Sequence, residues 1–149
     1  MDIKKILVPT DFSKNSEAAF GAAVGLARKF GANIHVLHVV EPAAAAPLAL
    51  AGILPQGEIL DRLESSAEEM MQAFLKKHGK DAATESLVAI GTPSAEVARY
   101  AKRNRIDLIV MATHGRTGLA HLVMGSVAER VVQTAGIPVL TIPTKAKKK

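Results

Sequence analysis

Short runs of consecutive apolar residues alternate along the chain with longer stretches in which apolar residues recur every three or four positions. The runs are IKKILVP (3–9), NIHVLHVVEP (33–42), TESLVAIG (84–91), IDLIVMA (106–112) and IPVLTIP (137–143). Their length and β-branched content predict five strands. Between them, Ala19, Ala23, Leu26 and Phe30 predict a helix from Ser16 that Gly31 closes, with Asp11 and Ser13 as candidate N-caps. Leu60, Leu63, Ala67, Met70 and Phe74 predict a second helix with that stripe in the core, ending at Gly79. Thr92-Pro93 places a capping residue before a first-turn proline, opening a helix through Val97 and Ala101 to Asn104. A last helix runs from Gly125 to Ala135, where Gly136 stops it. Strands and helices alternating throughout predict an α/β fold with a mostly parallel sheet, and the most hydrophobic strand, 106–112, belongs at its centre.

At 149 residues the chain fits one domain, here residues 1–144. No repeat is visible, and 42–55 is the single long connection. Charge changes this picture little. The net +5 rests on 19 basic and 14 acidic residues, but four of the lysines lie in the final KAKKK (145–149). Without that tail, 15 basic residues face 14 acidic ones, a net of +1. A short basic terminus is ordinarily a solvated end. With five aromatic residues to stack bases, nucleic acid is not an expected partner. The chain lacks cysteine, which excludes a disulfide framework and fits a reducing compartment. No signal peptide is visible, and PAAAAPLALAGILP (42–55) is too broken by proline to span a bilayer, so the expected location is the cytoplasm.

In parallel α/β sheets, ligands bind beyond the carboxyl ends of the strands where strand order reverses. Two loops at such ends carry useful chemistry, PTDFS (9–13) and MATHGRTGLAHLVMGS (111–126). Neither G-x-x-x-x-G-K-[ST] nor G-x-G-x-x-G occurs, so a Walker-type or standard dinucleotide site is not claimed. The second loop offers Gly115, Gly118 and Gly125 for close backbone approach, Ser126 at a helix mouth, and His114 and Arg116 for charge. Such a set suits a phosphate. It equally suits a glycine turn with Ser126 as the cap. Asp11 is either an acceptor for a ribose or base, or a helix cap. Together, an acidic loop and a phosphate-friendly one match the two ends of a nucleotide. Other constellations point nowhere: His35 and His38 lie on opposite faces of a strand and cannot share a metal. His78 suits a helix C-terminus. No carboxylate pair or G-x-S-x-G supports a hydrolase. The 42–55 segment reads as a surface loop or as an apolar flap or partner contact.

The blocks ILVPTDFS, GTPSAEVARYAKRNRIDLIVMATHGRTGLAHLVMGSVAERVV and GIPVLTIP resemble the universal stress protein family. The resemblance spans the chain, loosely through 42–80 and closely from Gly91 to Pro143. It implies an open five-stranded parallel sheet of order 3-2-1-4-5 with helices on both faces, Rossmann-like, and a homodimer through the last strand (137–143). One branch of the family binds ATP through G-x-x-G, nine residues, then G-[ST]. Here Gly115 is the second glycine, Arg116 to Met124 the spacer and Gly125-Ser126 the close, while Ala112 replaces the first glycine. Carried over, Pro9, Thr10, Asp11 and Val39 would hold the adenosine. Ala112, His114, Gly115, Arg116, Gly125, Ser126 and Val127 would complete the ATP site, with Mg2+ carried by phosphate oxygens. The implied function is an ATP-binding stress-response module acting on an unknown regulatory protein. The alternatives are a nucleotide-free dimeric scaffold, or slow ATP hydrolysis or autophosphorylation at Ser126 or Thr117, for which no general base is evident.

Overall fold

The computed structural model describes residues 1–79, 82, 84–114 and 124–143. Strands β1 (Lys5–Pro9), β2 (Asn33–Val40), β3 (Thr84–Ile90), β4 (Leu108–Ala112) and β5 (Val139–Ile142) pair in parallel in the order β3-β2-β1-β4-β5. Parallel neighbours need crossover helices, and these cover both faces. The pleat sorts the side chains. Ile6, Val8, Ile34, Val36, Leu108 and Val110 pack against helices α1 (Lys14–Phe30) and α3 (Gln56–His78). Leu7, Leu37, Ile109 and Met111 face α4 (Pro93–Asn104) and α5 (Ser126–Thr134). The strands at the centre are therefore apolar on successive residues, because both sides are covered.

Local chemistry explains most boundaries. Ser13, not Asp11, caps α1: its side chain accepts from the Ser16 N–H, and the helix begins at Lys14, before the Ser16 start read from spacing. Gly31, at φ +64°, ends α1 in the left-handed conformation that glycine adopts without penalty. In α3 the buried residues are Ile59, Ala67, Met71 and Phe74, whereas Met70 is 41% exposed. The expected stripe holds at Ala67 and Phe74, while Ile59 and Met71 take the buried places read for Leu60 and Met70. Two adjacent methionines are equally apolar, so periodicity had no means of choosing between them. The connection expected at 42–55 is partly ordered into a 3-10 turn (Pro42–Ala45) and a short helix α2 (Ala46–Leu50). Alanine favours helix, and Pro42 and Pro47 fall in first turns, where proline is tolerated. Ala45 is fully buried there, while Leu50 and Ile53 stay exposed. No helix among the described residues is long and apolar enough to cross a membrane.

Two polar ties cross the core margins. Glu17 of α1 meets His78 Nε2 at 3.2 Å and Lys77 Nζ at 3.3 Å at the end of α3. Burial alone would raise the Glu17 pKa, but the His78 and Lys77 bonds outweigh it and hold the carboxyl below its ordinary 4.5. On the opposite face, His35 of β2 is 2% exposed, with Nδ1 2.8 Å from the Tyr100 hydroxyl and 3.7 Å from Glu85. Burial holds His35 below the ordinary imidazole value of 6.5, with Glu85 opposing and Lys5 reinforcing the shift.

The folded state resists a proton on His35 that the unfolded chain accepts. Stability therefore falls as pH drops below about 6.5. The Glu17 contribution disappears only later, as pH falls through a value below 4.5. Urea midpoints measured from about pH 8 to pH 5 should decline, and His35→Gln should flatten that decline. A midpoint constant across this range counts against the assignment.

Candidate functional site

The site begins where two strands part. β1 and β4 share a ladder only at Ile6–Leu108 and Leu7–Ile109, although β1 continues to Pro9 and β4 to Ala112. Backbone groups of successive strand residues face opposite neighbours. Lys4 O and Thr10 N bond β2, and Lys5 O bonds the β4 side, so Pro9 faces β4. Proline has no N–H to donate, and the seam ends there. At the other end, Asp107 Oδ2 accepts from the Lys4 and Lys5 N–H groups, both at 2.9 Å. The pair is clamped at its amino end and open at its carboxyl end. In the order 3-2-1-4-5 this opening is the switch point, with α1 leaving on one side of it and α5 starting on the other.

Four stretches border the opening. The first is the turn Pro9–Ser13. Asp11 Oδ1 accepts from the Ser13 N–H at 3.0 Å, and the buried Thr10 hydroxyl bonds Ser16 Oγ at 2.9 Å. Phe12 sits at φ +63°, a left-handed backbone costing a non-glycine residue about 1–2 kcal/mol. The second is the end of β2, where Val39 is half-buried and packs on the α4–α5 face. The third is Ala112-Thr113-His114. Ala112 lies in the strand, in register with Ile142, and is absent from the described positive-φ residues. Its methyl therefore meets no backbone conflict, so a glycine is not required there by conformation. Thr113 Oγ1 lies 3.0 Å from His114 Nδ1.

The fourth stretch is the start of α5. Gly125 N–H donates to the Thr113 carbonyl at 2.7 Å, so the chain leaving β4 returns to the point where it left. Gly125 is the N-cap, not Ser126, which is the first helical residue and exposed, as is Val127. A Cβ at Gly125 would stand 3.0 Å from the Thr113 carbonyl oxygen. Its φ of −61° suits any residue, so the contact rather than the conformation demands glycine. The first turn of α5 carries N–H groups without partners inside the helix, and with them a partial positive charge, at this border. Gly115 and Arg116, with Thr117, Gly118 and His121, lie outside the described residues, as does the 145–149 tail. Among the described residues no group of three or more His, Cys, Asp or Glu could hold a metal.

Sequence reasoning placed Pro9, Thr10, Asp11, Val39, Ala112, His114, Gly125, Ser126 and Val127 near one another, and the fold brings their stretches to one end of the sheet. It missed the grip on the first turn. His38 Nδ1 lies 2.8 Å from the Thr10 carbonyl, and its ring stacks on Phe12 at 4.5 Å. The strand spacing did put His38 and His35 on opposite faces, as the structure has them.

Comparison with known proteins gives this geometry a family context. A model described as "Universal stress protein family" matches residues 2–143. Universal stress protein MJ0531 of Methanocaldococcus jannaschii is 35% identical over 145 residues, covering 97% of this chain and 84% of that one. The solved structure of MJ0577 from the same organism is similar with a TM-score of 0.84 at 27% identity, covering 97% of this chain and 99% of that one. A more distant structure, At3g01520 of Arabidopsis thaliana with AMP bound, shares the fold at a TM-score of 0.64 and 22% identity, covering 97% and 94%.

The Gly125 contact is directly testable. Gly125→Ala presses a methyl on the Thr113 carbonyl and should cost about 1–3 kcal/mol, read as a lower melting temperature. Ser126→Ala, exposed one residue later, should stay within about 0.5 kcal/mol. Equal melting temperatures for the two variants would refute the contact.

Proposed function

Since this chain belongs to the universal stress protein family, we propose that it is an adenine-nucleotide-binding regulatory module that works as a homodimer, with ATP as its ligand. The observation that carries this reading is the opened β1–β4 seam. It sets an acidic turn on one lip and a helix N-terminus on the other. Asp11 supplies a carboxylate acceptor for ribose hydroxyls or a base amino group, and Val39 an apolar wall for the base. The first turn of α5 offers backbone N–H groups and Ser126 a hydroxyl, both suited to anionic oxygens. His114, Gly115 and Arg116 complete the phosphate end in this reading.

Two considerations support the choice of ligand. AMP on At3g01520 shows the ligand class on the same fold. Extended backbone at Ala112 removes the conformational objection to alanine in the glycine position. Mg2+ would be held in this reading by phosphate oxygens and water. For the dimer, β5 is an edge strand with Leu140 40% exposed. Partner proteins would sense the nucleotide through this assembly.

Native mass spectrometry of freshly purified protein is the direct test: a dimer carrying ATP is expected. An empty dimer would favour a scaffold, and ADP with turnover an enzyme. Gly125 is a poor probe because its substitution strains the fold. Asp11→Asn is cleaner, since its remaining oxygen still accepts from the Ser13 N–H while the charge is lost. Calorimetry should show ATP affinity reduced roughly 10-fold in that variant, the value of one charge-assisted hydrogen bond. Unchanged affinity would move the nucleoside away from Asp11.

A further inference from the structure

The turn that presents Asp11 adopts a conformation its own residues disfavour, and the neighbouring strand holds it there. Phe12, immediately after Asp11, has φ +63°. The Thr10 N–H donates to the Leu37 carbonyl at 2.9 Å, and the Thr10 hydroxyl accepts from the Phe12 N–H at 3.0 Å. His38, one residue beyond Leu37, reaches the same segment twice. Its Nδ1 is 2.8 Å from the Thr10 carbonyl oxygen. Its ring lies on the Phe12 ring, centroids 4.5 Å apart and planes 30° from parallel. A carbonyl only accepts, so Nδ1 carries the hydrogen. One imidazole thus grips the residue before Asp11 by a hydrogen bond and the residue after it by stacking. Phe12 in turn meets the edge of Phe74 at 5.9 Å, so the grip is anchored on α3.

We infer that His38 is a positioning residue for the nucleoside end of the site, a role that rests on the nucleotide reading above. A side chain filling space in β2 needs only apolar bulk, and the strand supplies that at Val36 and Val40. Position 38 instead carries a flat ring and an N–H donor in one group, and both are engaged on the Asp11 turn. The turn is thereby set before ligand arrives, which spares the ordering cost of binding. His38 acts through Thr10 and Phe12, so removing it changes how Asp11 is held and leaves the phosphate end as it was.

Two substitutions separate its functions. His38→Phe keeps the ring and loses the donor; His38→Asn keeps a donor near the Nδ1 position and loses the ring. Calorimetry with AMP and ATP should show His38→Phe weakening both by the same factor, about tenfold, because the loss sits on the part they share. His38→Asn should recover most of that factor even where its melting temperature falls as far, a split that a merely structural role does not produce. In unmodified protein, 15N NMR should find His38 in the Nδ1–H tautomer at neutral pH. This measurement and His38→Asn carry the test should His38→Phe not fold. The role is overturned if His38→Phe binds like wild type, if the loss falls on ATP alone, if His38→Asn is no better than His38→Phe, or if the Nε2–H tautomer is found. A wild-type protein that binds neither nucleotide overturns the reading of the site, and this role with it.

Discussion

The molecule depends on a seam only two residue pairs long. β1 is the middle strand of five, and it joins the two halves of the sheet through Ile6–Leu108 and Leu7–Ile109. Asp107 fastens the amino end of this seam, and Pro9, lacking an N–H toward β4, releases the carboxyl end. A longer ladder would give a stiffer sheet with no mouth. A shorter one would leave two half-sheets with a cut through the core between Val8 and Val110, both fully buried. The helices follow from this arrangement: α1 and α3 cover one face, and α4 and α5 the other, so the opening is walled on each side.

Strain and close approach gather at the same end. Of the described non-glycine residues, only Phe12 and Arg105 have positive φ; Arg105 merely caps α4, whereas Phe12 borders the opening. Gly125 stands against the Thr113 carbonyl a few residues away along the rim. Backbone in unfavourable conformations persists where surroundings over-determine it, and here the surroundings are His38, Thr10 and Ser16. The far end of the sheet has another character: polar ties such as Asp107 and the buried His35–Tyr100 pair hold elements together.

What could be read in the residues was whatever a local rule decides. Apolar runs give strands, Gly31 stops α1, and alternation of strand and helix implies a parallel sheet. Asp11 and the Gly125-Ser126 pair were legible as loop chemistry at strand ends. Choices between near-equals were not legible. Met70 and Met71 differ only in which way a long helix rolls on the sheet, and Asp11 and Ser13 compete for one cap. The reason for Gly125 was also hidden: it looked like room for a ligand, and it is first of all room for Thr113. His38 was weighed only as a metal partner for His35, because a histidine within an apolar run has no local signature of a positioning role. Its use depends on Thr10 and Phe12, which arrive from another strand.

The clamp at Asp107 has a consequence for how the protein is made. Asp107 and Lys5 are 102 residues apart, whereas β1 and β2 are joined by one helical crossover. β1 can therefore pair with β2 soon after both leave the ribosome, but its other edge must wait until most of the chain has been synthesised. Contacts of such sequence separation form late and slowly. Until β4 arrives, the strand destined for the centre of the sheet is a bare apolar edge, open to mispairing with any neighbour. The cleft that defines the finished molecule is thus bordered by a join that spans most of the chain, and a nascent chain stalled before Leu108 would leave that apolar edge uncovered.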